Sequence, residues 1–267
     1  MTAAKKTLGT LYLVPTPLDF GCDSQDIQTD LRQLLPQSTI TQAAGITHWV
    51  VENAKSARAF LKRVHAVQPL VCSLQDMQIT ELPRAAHKKG DHGAAGDAAA
   101  AKVLLAPLLA GQNMGLLSEA GMPAVADPGS SIVRAAHAAG ARVLPLVGPS
   151  SILLALAASG LNGQQFAFVG YLPQNAAERA ARIKQLEGLA LKSGQAQLCI
   201  ETPYRNAALW QALLAALQPS TMLALHSGLM LEAGFSRCLP VAAWRQLVPA
   251  PELEAALKLP CIFALGQ

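Results

Sequence analysis

Charge is scarce in this chain. Only 14% of its 267 residues are Asp, Glu, Lys or Arg, and only 4% are aromatic, while 51% are hydrophobic. So few charges exclude a self-repelling disordered polymer for most of its length. The net charge of +4 is too small for a dense nucleic-acid stripe, yet it permits an anionic partner such as RNA. No apolar run approaches the ~20 residues of a membrane span. The opening MTAAKKTLGTLYLVPTP is broken by prolines before it reaches the length of a secretory signal. There is no CxxC pair. Cys22, Cys72, Cys199, Cys238 and Cys261 are odd in number and widely spaced, and three lie in apolar runs where a thiol acts as a small hydrophobe. His87 and His92, in the low-complexity 84–101 stretch, have no further ligands at metal spacing, so that stretch reads as an exposed, mobile loop. These absences predict a cytoplasmic protein with no metal and no membrane association. Nucleotide signatures are missing too: no GxGxxG after the first strand, no GxxxxGK[ST], and no GxSxG elbow.

What is present is alternation. Strand-type runs at Leu11–Val14, His48–Val51, Leu70–Ser73, Met114–Ser118 and Val143–Val147 are separated by helical patterns at Gln25–Leu35, Ala54–His65, Ala98–Leu109 and Ser130–Ala139. This order predicts an α/β fold built from βαβ units. A further helical stretch, Ile152–Ala158, leads into SGLNGQQ (159–165), which reads as a linker. A second series follows, with strands at Phe166–Val169, Gln197–Ile200, Met222–His226 and Cys261–Leu265. Its helices are predicted at Ala176–Leu191, Asn206–Leu217 and within 248–260. Two α/β domains with mainly parallel or mixed sheets are therefore predicted, 1–160 and 161–267.

Three strands of the first half leave through small residues or proline. Their loops are Pro15-Thr16-Pro17, then Ser118-Glu119-Ala120-Gly121-Met122-Pro123, and Gly148-Pro149-Ser150-Ser151. In open parallel sheets ligands bind outside the carboxyl ends of the strands. Glycine there allows close backbone approach and proline fixes the loop. Each loop alone is also compatible with an ordinary βα turn.

The ordered set LYLVPTPL, LLSEAGMPAVADPG, VLPLVGPSSILLALAASGL, FAFVGYLP and ETPYRN resembles the tetrapyrrole-methylase-fold (class III) S-adenosylmethionine-dependent methyltransferases. Within them it is most similar to the branch that methylates the ribose 2′-OH of a cytidine in small-subunit ribosomal RNA. The likeness covers most of residues 10–210. It implies two α/β domains with S-adenosylmethionine in the cleft between them, and a homodimer. It also implies ribosomal RNA or the small ribosomal subunit as partner. A tetrapyrrole or other small-molecule methylase, and a non-catalytic S-adenosylmethionine-binding protein, stay open beside that reading. The pattern has departures. Glu52-Asn53-Ala54-Lys55 stands where the branch has EDTR, and Glu119 and Met122 stand in place of Asp and Thr. LALHSGLMLEAGF replaces a lysine-bearing stretch, and Leu259-Pro260 replaces GE.

Residue roles follow from the resemblance. Pro15, Thr16, Pro17, Ser118, Glu119, Ala120, Gly121, Met122, Pro123, Ser150, Ser151, Glu201, Thr202, Tyr204 and Pro260 are expected at the cofactor. Glu52 is expected to act as the base for a ribose hydroxyl or else to cap the helix beginning near Asn53. Lys55 and Arg58 either meet phosphate or form a solvated helix face, and Arg205 is expected at the substrate. Asp127-Pro128 is predicted to open the following helix, with Asp as N-cap and Pro at the first position.

Overall fold

The computed structural model describes residues 7–19, 29–83, 96–232, 234–247 and 251–267. Part of the first predicted helix (25–28), Cys22, His87, His92 and most of the 84–101 loop lie outside the described residues. The chain divides into two compact units, Met1–Ser150 and Ser151–Gln267.

The first unit is a five-stranded, wholly parallel sheet in the order β3-β2-β4-β1-β5. Its strands are β1 (Thr10–Leu13), β2 (His48–Val51), β3 (Gln78–Glu81), β4 (Met114–Leu117) and β5 (Arg142–Pro145). Connections from β1 and β2 run one way across the sheet; those from β3 and β4 run back. Right-handed crossovers in opposite directions must cover opposite faces, and the core divides accordingly. Helices α1 (Leu31–Leu34), α2 (Gln37–Ala44) and α3 (Ala54–Val67) pack with Val14, Trp49, Val51 and Leu117. Helices α4 (Gly96–Leu104), α5 (Ala106–Leu109) and α6 (Ser130–Ala138) pack on a second cluster with Leu11, Val50, Met114 and Leu116. Successive residues thus alternate faces, and apolar runs bury on both. Gly115 is required by this packing, because a Cβ there would stand 2.4 Å from the ring of Trp49.

Two elements differ from the sequence reading. Leu70–Ser73 is not a strand, and the edge strand is the more polar Gln78–Glu81. Val71 is 61% exposed in its loop, whereas β3 pairs on one side only, with β2. Helix α2 was not foreseen; its polar, β-branched QSTITQAA still buries Thr39, Ile40, Ala43 and Ala44.

The second unit is a mixed sheet, β6-β7-β10-β8-β9. Its strands are β6 (Phe166–Tyr171), β7 (Ala196–Glu201), β8 (Met222–Ser227), β9 (Phe235–Pro240) and β10 (Cys261–Gly266). The last strand inserts antiparallel between β7 and β8. One face carries α8 (Ala176–Ser193), α9 (Asn206–Ala216) and α10 (Val241–Gln246) around Trp210, Trp244 and Phe263. The two indoles meet edge to face at 4.9 Å. The other face is covered by α7 (Ser151–Ser159), through Ile152, Ala155 and Leu156. Because α7 belongs to this second core, the boundary between units falls at Ser150, ahead of the SGLNGQQ segment. Helix α11 (Pro251–Ala256) precedes β10, and β9 with α10 completes the unit beyond the predicted elements. No helix among the described residues is long and apolar enough to cross a membrane.

Candidate active site

In the first sheet the chain leaves β1 toward one face and β4 toward the other. Neighbouring strands with diverging connections make the crevice in which α/β sheets hold ligands. The two proline- and glycine-bearing loops sit at this point. They are tied to one another: Thr16 N donates to Gly121 O (2.9 Å) and Gly121 N to Thr16 O (3.1 Å). Gly121 has φ 78°, and a Cβ there would approach Leu18 Cδ2 to 3.1 Å and Pro149 O to 3.6 Å. Gly148 is pressed onto Pro15, its would-be Cβ 2.2 Å from the ring. Pro15, Thr16, Pro17 and Pro123 are buried. They set the shape of the loops, and Ser118, Glu119, Ala120, Gly121 and Met122 form their turn.

Glu52, at the end of β2, joins this group. Its Oε2 accepts from Glu119 N at 3.2 Å, and its own N–H donates to Leu117 O at 3.1 Å. The helix-cap alternative for Glu52 is overturned. Asn53 is the N-cap of α3, its Oδ1 accepting from Lys55 N and Ser56 N, while Glu81 accepts from Ala54 N at 2.7 Å. Lys55 and Arg58 are exposed, and Arg58 donates to Ala54 O of its own helix.

Asp127 is the residue that sequence reasoning placed wrongly. Helix α6 begins at Ser130 with Gly129 (φ 133°) as N-cap and no side-chain cap. Ala124 (φ 64°) and Ala126 (φ 65°) are both left-handed, and the loop curls Asp127 toward Ser118 and Glu52 instead. Left-handed alanines are costly and mark a loop held against its preference. Burial, then the nearby charges of Glu52 and Glu119, push the Asp127 carboxyl up to about 7, with the Ser118 hydroxyl pulling the other way. Only the folded loop reveals this, since Asp-Pro-Gly by itself reads as a helix start.

In the second unit Glu201, at the end of β7, is 8% exposed. Its Oε1 accepts from Thr202 N (2.8 Å) and Thr202 Oγ1 (3.2 Å), and it is ion-paired with Arg205 Nη2 at 2.7 Å. The Arg205 guanidinium lies 5.6 Å from the Tyr204 ring centre and 6.0 Å from that of Tyr171. Pro260 leads into β10, whose Cys261 pairs with both Glu201 and Ser227. Buried Asn206 fixes that approach by donating to Leu257 O and Leu259 O. Where the resemblance expects a lysine-bearing stretch, His226 stands fully buried in β8. Its Nδ1 is 2.7 Å from Ser236 Oγ, and burial pushes it down to about 4, so it is neutral. Cys199 and Cys261 are pushed up to about 12 by burial and are inert thiols. Of the two serines expected at the cofactor, Ser150 ends the first unit and Ser151 opens α7 in the second. Among the described residues no group of three or more His, Cys, Asp or Glu could hold a metal ion.

The family profile for tetrapyrrole (corrin/porphyrin) methylases matches residues 41–227. The chain belongs to this family. It is 33% identical over 181 residues to the ribosomal RNA small subunit methyltransferase I of Xylella fastidiosa, covering 67% of this chain and 55% of that protein. It is 29% identical over 201 residues to the protein of the same name from Streptococcus pyogenes, covering 75% of this chain and 58% of that one. The aligned region thus spans little more than half the length of these relatives. Among solved structures it is similar to uroporphyrin-III-C-methyltransferase from Thermus thermophilus, with a TM-score of 0.53, 18% identity, 97% of this chain and 94% of that chain. The methyltransferase CobJ matches with a TM-score of 0.53 at 18% identity, over 98% of this chain and 94% of that one. Those two likenesses establish the tetrapyrrole-methylase fold. The family match takes in Glu52, the whole 118–129 loop and the Glu201–Arg205 box, so the residues gathered at both sheet edges lie inside the family's region.

Proposed function

We propose that the chain is an S-adenosylmethionine-dependent methyltransferase acting on a ribose 2′-OH of small-subunit ribosomal RNA. The observation that carries the reading is the reciprocal Thr16–Gly121 pairing, which holds the β1 and β4 loops together at the sheet's switch point. The donor set fits the cofactor. Carboxyls of Glu52, Glu119 and Asp127 suit a positively charged sulfonium, and Gly121 allows the loop its φ of 78° against Leu18. When bound, S-adenosylmethionine supplies an electrophilic methyl group. Pro15–Pro17 and Ser118–Pro123 would hold it and exclude water.

A ribose hydroxyl that accepted the methyl, with S-adenosylhomocysteine leaving, would have to give up its proton, which needs an acceptor. Glu52 is committed through Oε2 to the 118–121 loop and polarises the hydroxyl. Asp127, raised to about 7, takes the proton near neutral pH. Pairing of two copies belongs to the same reading. Sedimentation at the mass of one 27.9 kDa chain counts against that part.

The test is transfer of labelled methyl from S-adenosylmethionine to small ribosomal subunits from a strain lacking this gene. Label on a ribose 2′-oxygen of the RNA supports the reading. Label on an added tetrapyrrole but not on RNA replaces it with the small-molecule alternative. Cofactor binding without transfer to either leaves a binding protein.

A further inference from the structure

We propose that Tyr204, with Arg205 and Tyr171, forms a stacking platform for an unpaired nucleobase of RNA; this rests on the RNA reading above. Tyr204 is 82% exposed, so core packing does not account for its ring, and Tyr171 beside it is 54% exposed. Both rise at one edge, because β6 and β7 run parallel with Tyr171 opposite Ile200, next to Glu201. The ion pair and the Nε–Oε1 hydrogen bond (3.0 Å) to Glu201 fix the Arg205 guanidinium within cation–π range of both rings. Glu201 also neutralises Arg205, so this surface offers flat π faces and not a point charge for phosphate. Aromatic and guanidinium faces at an open edge are what splayed RNA bases stack on.

The full chain and its variants are titrated into a fluorescein-labelled, unstructured single-stranded RNA and followed by anisotropy. S-adenosylhomocysteine binding is measured by calorimetry in parallel. Tyr204→Ala should weaken RNA binding about tenfold with the salt slope and S-adenosylhomocysteine affinity unchanged, and Tyr204→Phe should bind as the parent does. Circular dichroism matching the parent excludes unfolding. Equal RNA affinity for Tyr204→Ala and the parent overturns the platform. So does a matching loss of S-adenosylhomocysteine affinity, which would make Tyr204 a wall of the cofactor site. A reduced salt slope overturns it in favour of a phosphate contact. Failure of the parent to bind or methylate RNA removes both readings, whereas a parent that methylates RNA beside an indifferent Tyr204→Ala removes only this one.

Discussion

Asp127 and Glu201 occupy comparable places, each a buried or half-buried acid where a sheet's strands end, yet their surroundings are opposite. Glu201 meets a guanidinium and a hydroxyl, which together satisfy its charge. Asp127 faces the carboxylates of Glu52 and Glu119 and is pushed up to about 7. One edge is electrostatically closed and the other is loaded. Like charges gathered at a strained loop mark a functional-site candidate. On the proposed reading, the first edge would take the cationic cofactor and the second would serve as a neutral contact surface.

The sharpest way to break the contrast is to remove the cation from the closed edge. Arg205→Ala leaves Glu201 buried without its partner, and loss of one member of such a pair costs about 3 kcal/mol. Chemical denaturation should show that loss. A loss below about 0.5 kcal/mol would place the pair with exposed salt bridges.

The loaded edge should respond with the opposite sign. With its carboxyl raised to about 7 against an ordinary value of 3.8, Asp127 keeps a proton in the folded state that the unfolded chain has already lost. Its contribution to stability therefore falls as pH rises from about 4 to 7, and above that an ionised, poorly solvated carboxylate remains. Asp127→Asn should stabilise the protein by about 2 kcal/mol at pH 8 and by almost nothing at pH 4. A stability gain that does not change with pH would dissociate Asp127 from the carboxylate cluster.

Much of this was legible in the sequence because the central strands are apolar on both faces. β1, β2 and β4 fall where LYLV, HWVV and MGLL stand, the half-exposed edge strand β5 falls where RVLP stands, and the three punctuated loops follow from them. Of the edge strands, β5 and β6 were legible, but β3 and β9 escaped. β3 carries the polar QITE and pairs on one side, and β9 likewise hydrogen-bonds only to β8. Few of their side chains reach a core, Ile79 in β3 and Phe235 and Leu239 in β9 among them, which leaves a weak hydrophobic period to read. The role of Asp127 was illegible for another reason: Glu52 lies far away in sequence, and only left-handed Ala124 and Ala126 bring the two acids together.

Gly121 tests whether the loop that carries the acids must hold its shape. A valine there would have to adopt φ 78° with a Cβ 3.1 Å from Leu18, a strain of about 1–3 kcal/mol. Gly121→Val should abolish S-adenosylhomocysteine binding in calorimetry while Arg205 and its edge keep their stability. Gly121→Ala should lose less. Full binding by Gly121→Val would remove the Thr16–Gly121 pairing from the site.

The smallest effect expected separates charge from shape at the loaded edge. S-adenosylmethionine carries a sulfonium and S-adenosylhomocysteine a neutral thioether, with the rest of the molecule in common. A cation near Asp127 favours its ionised form and lowers its pKa from about 7. Binding of S-adenosylmethionine should then release protons, and its affinity should rise as pH increases from below 6 to above 7. A lowering of about one unit corresponds to about a tenfold rise. S-adenosylhomocysteine should show little of this, so the ratio of the two affinities is the clean readout. Asp127→Asn should flatten the ratio against pH, because the titrating group is gone. Heats measured in buffers of different ionisation enthalpy should reveal the released proton for the sulfonium alone. Identical pH profiles for the two compounds would mean that the carboxyls shape the loop without sensing the cofactor's charge. The site would then be built by backbone alone.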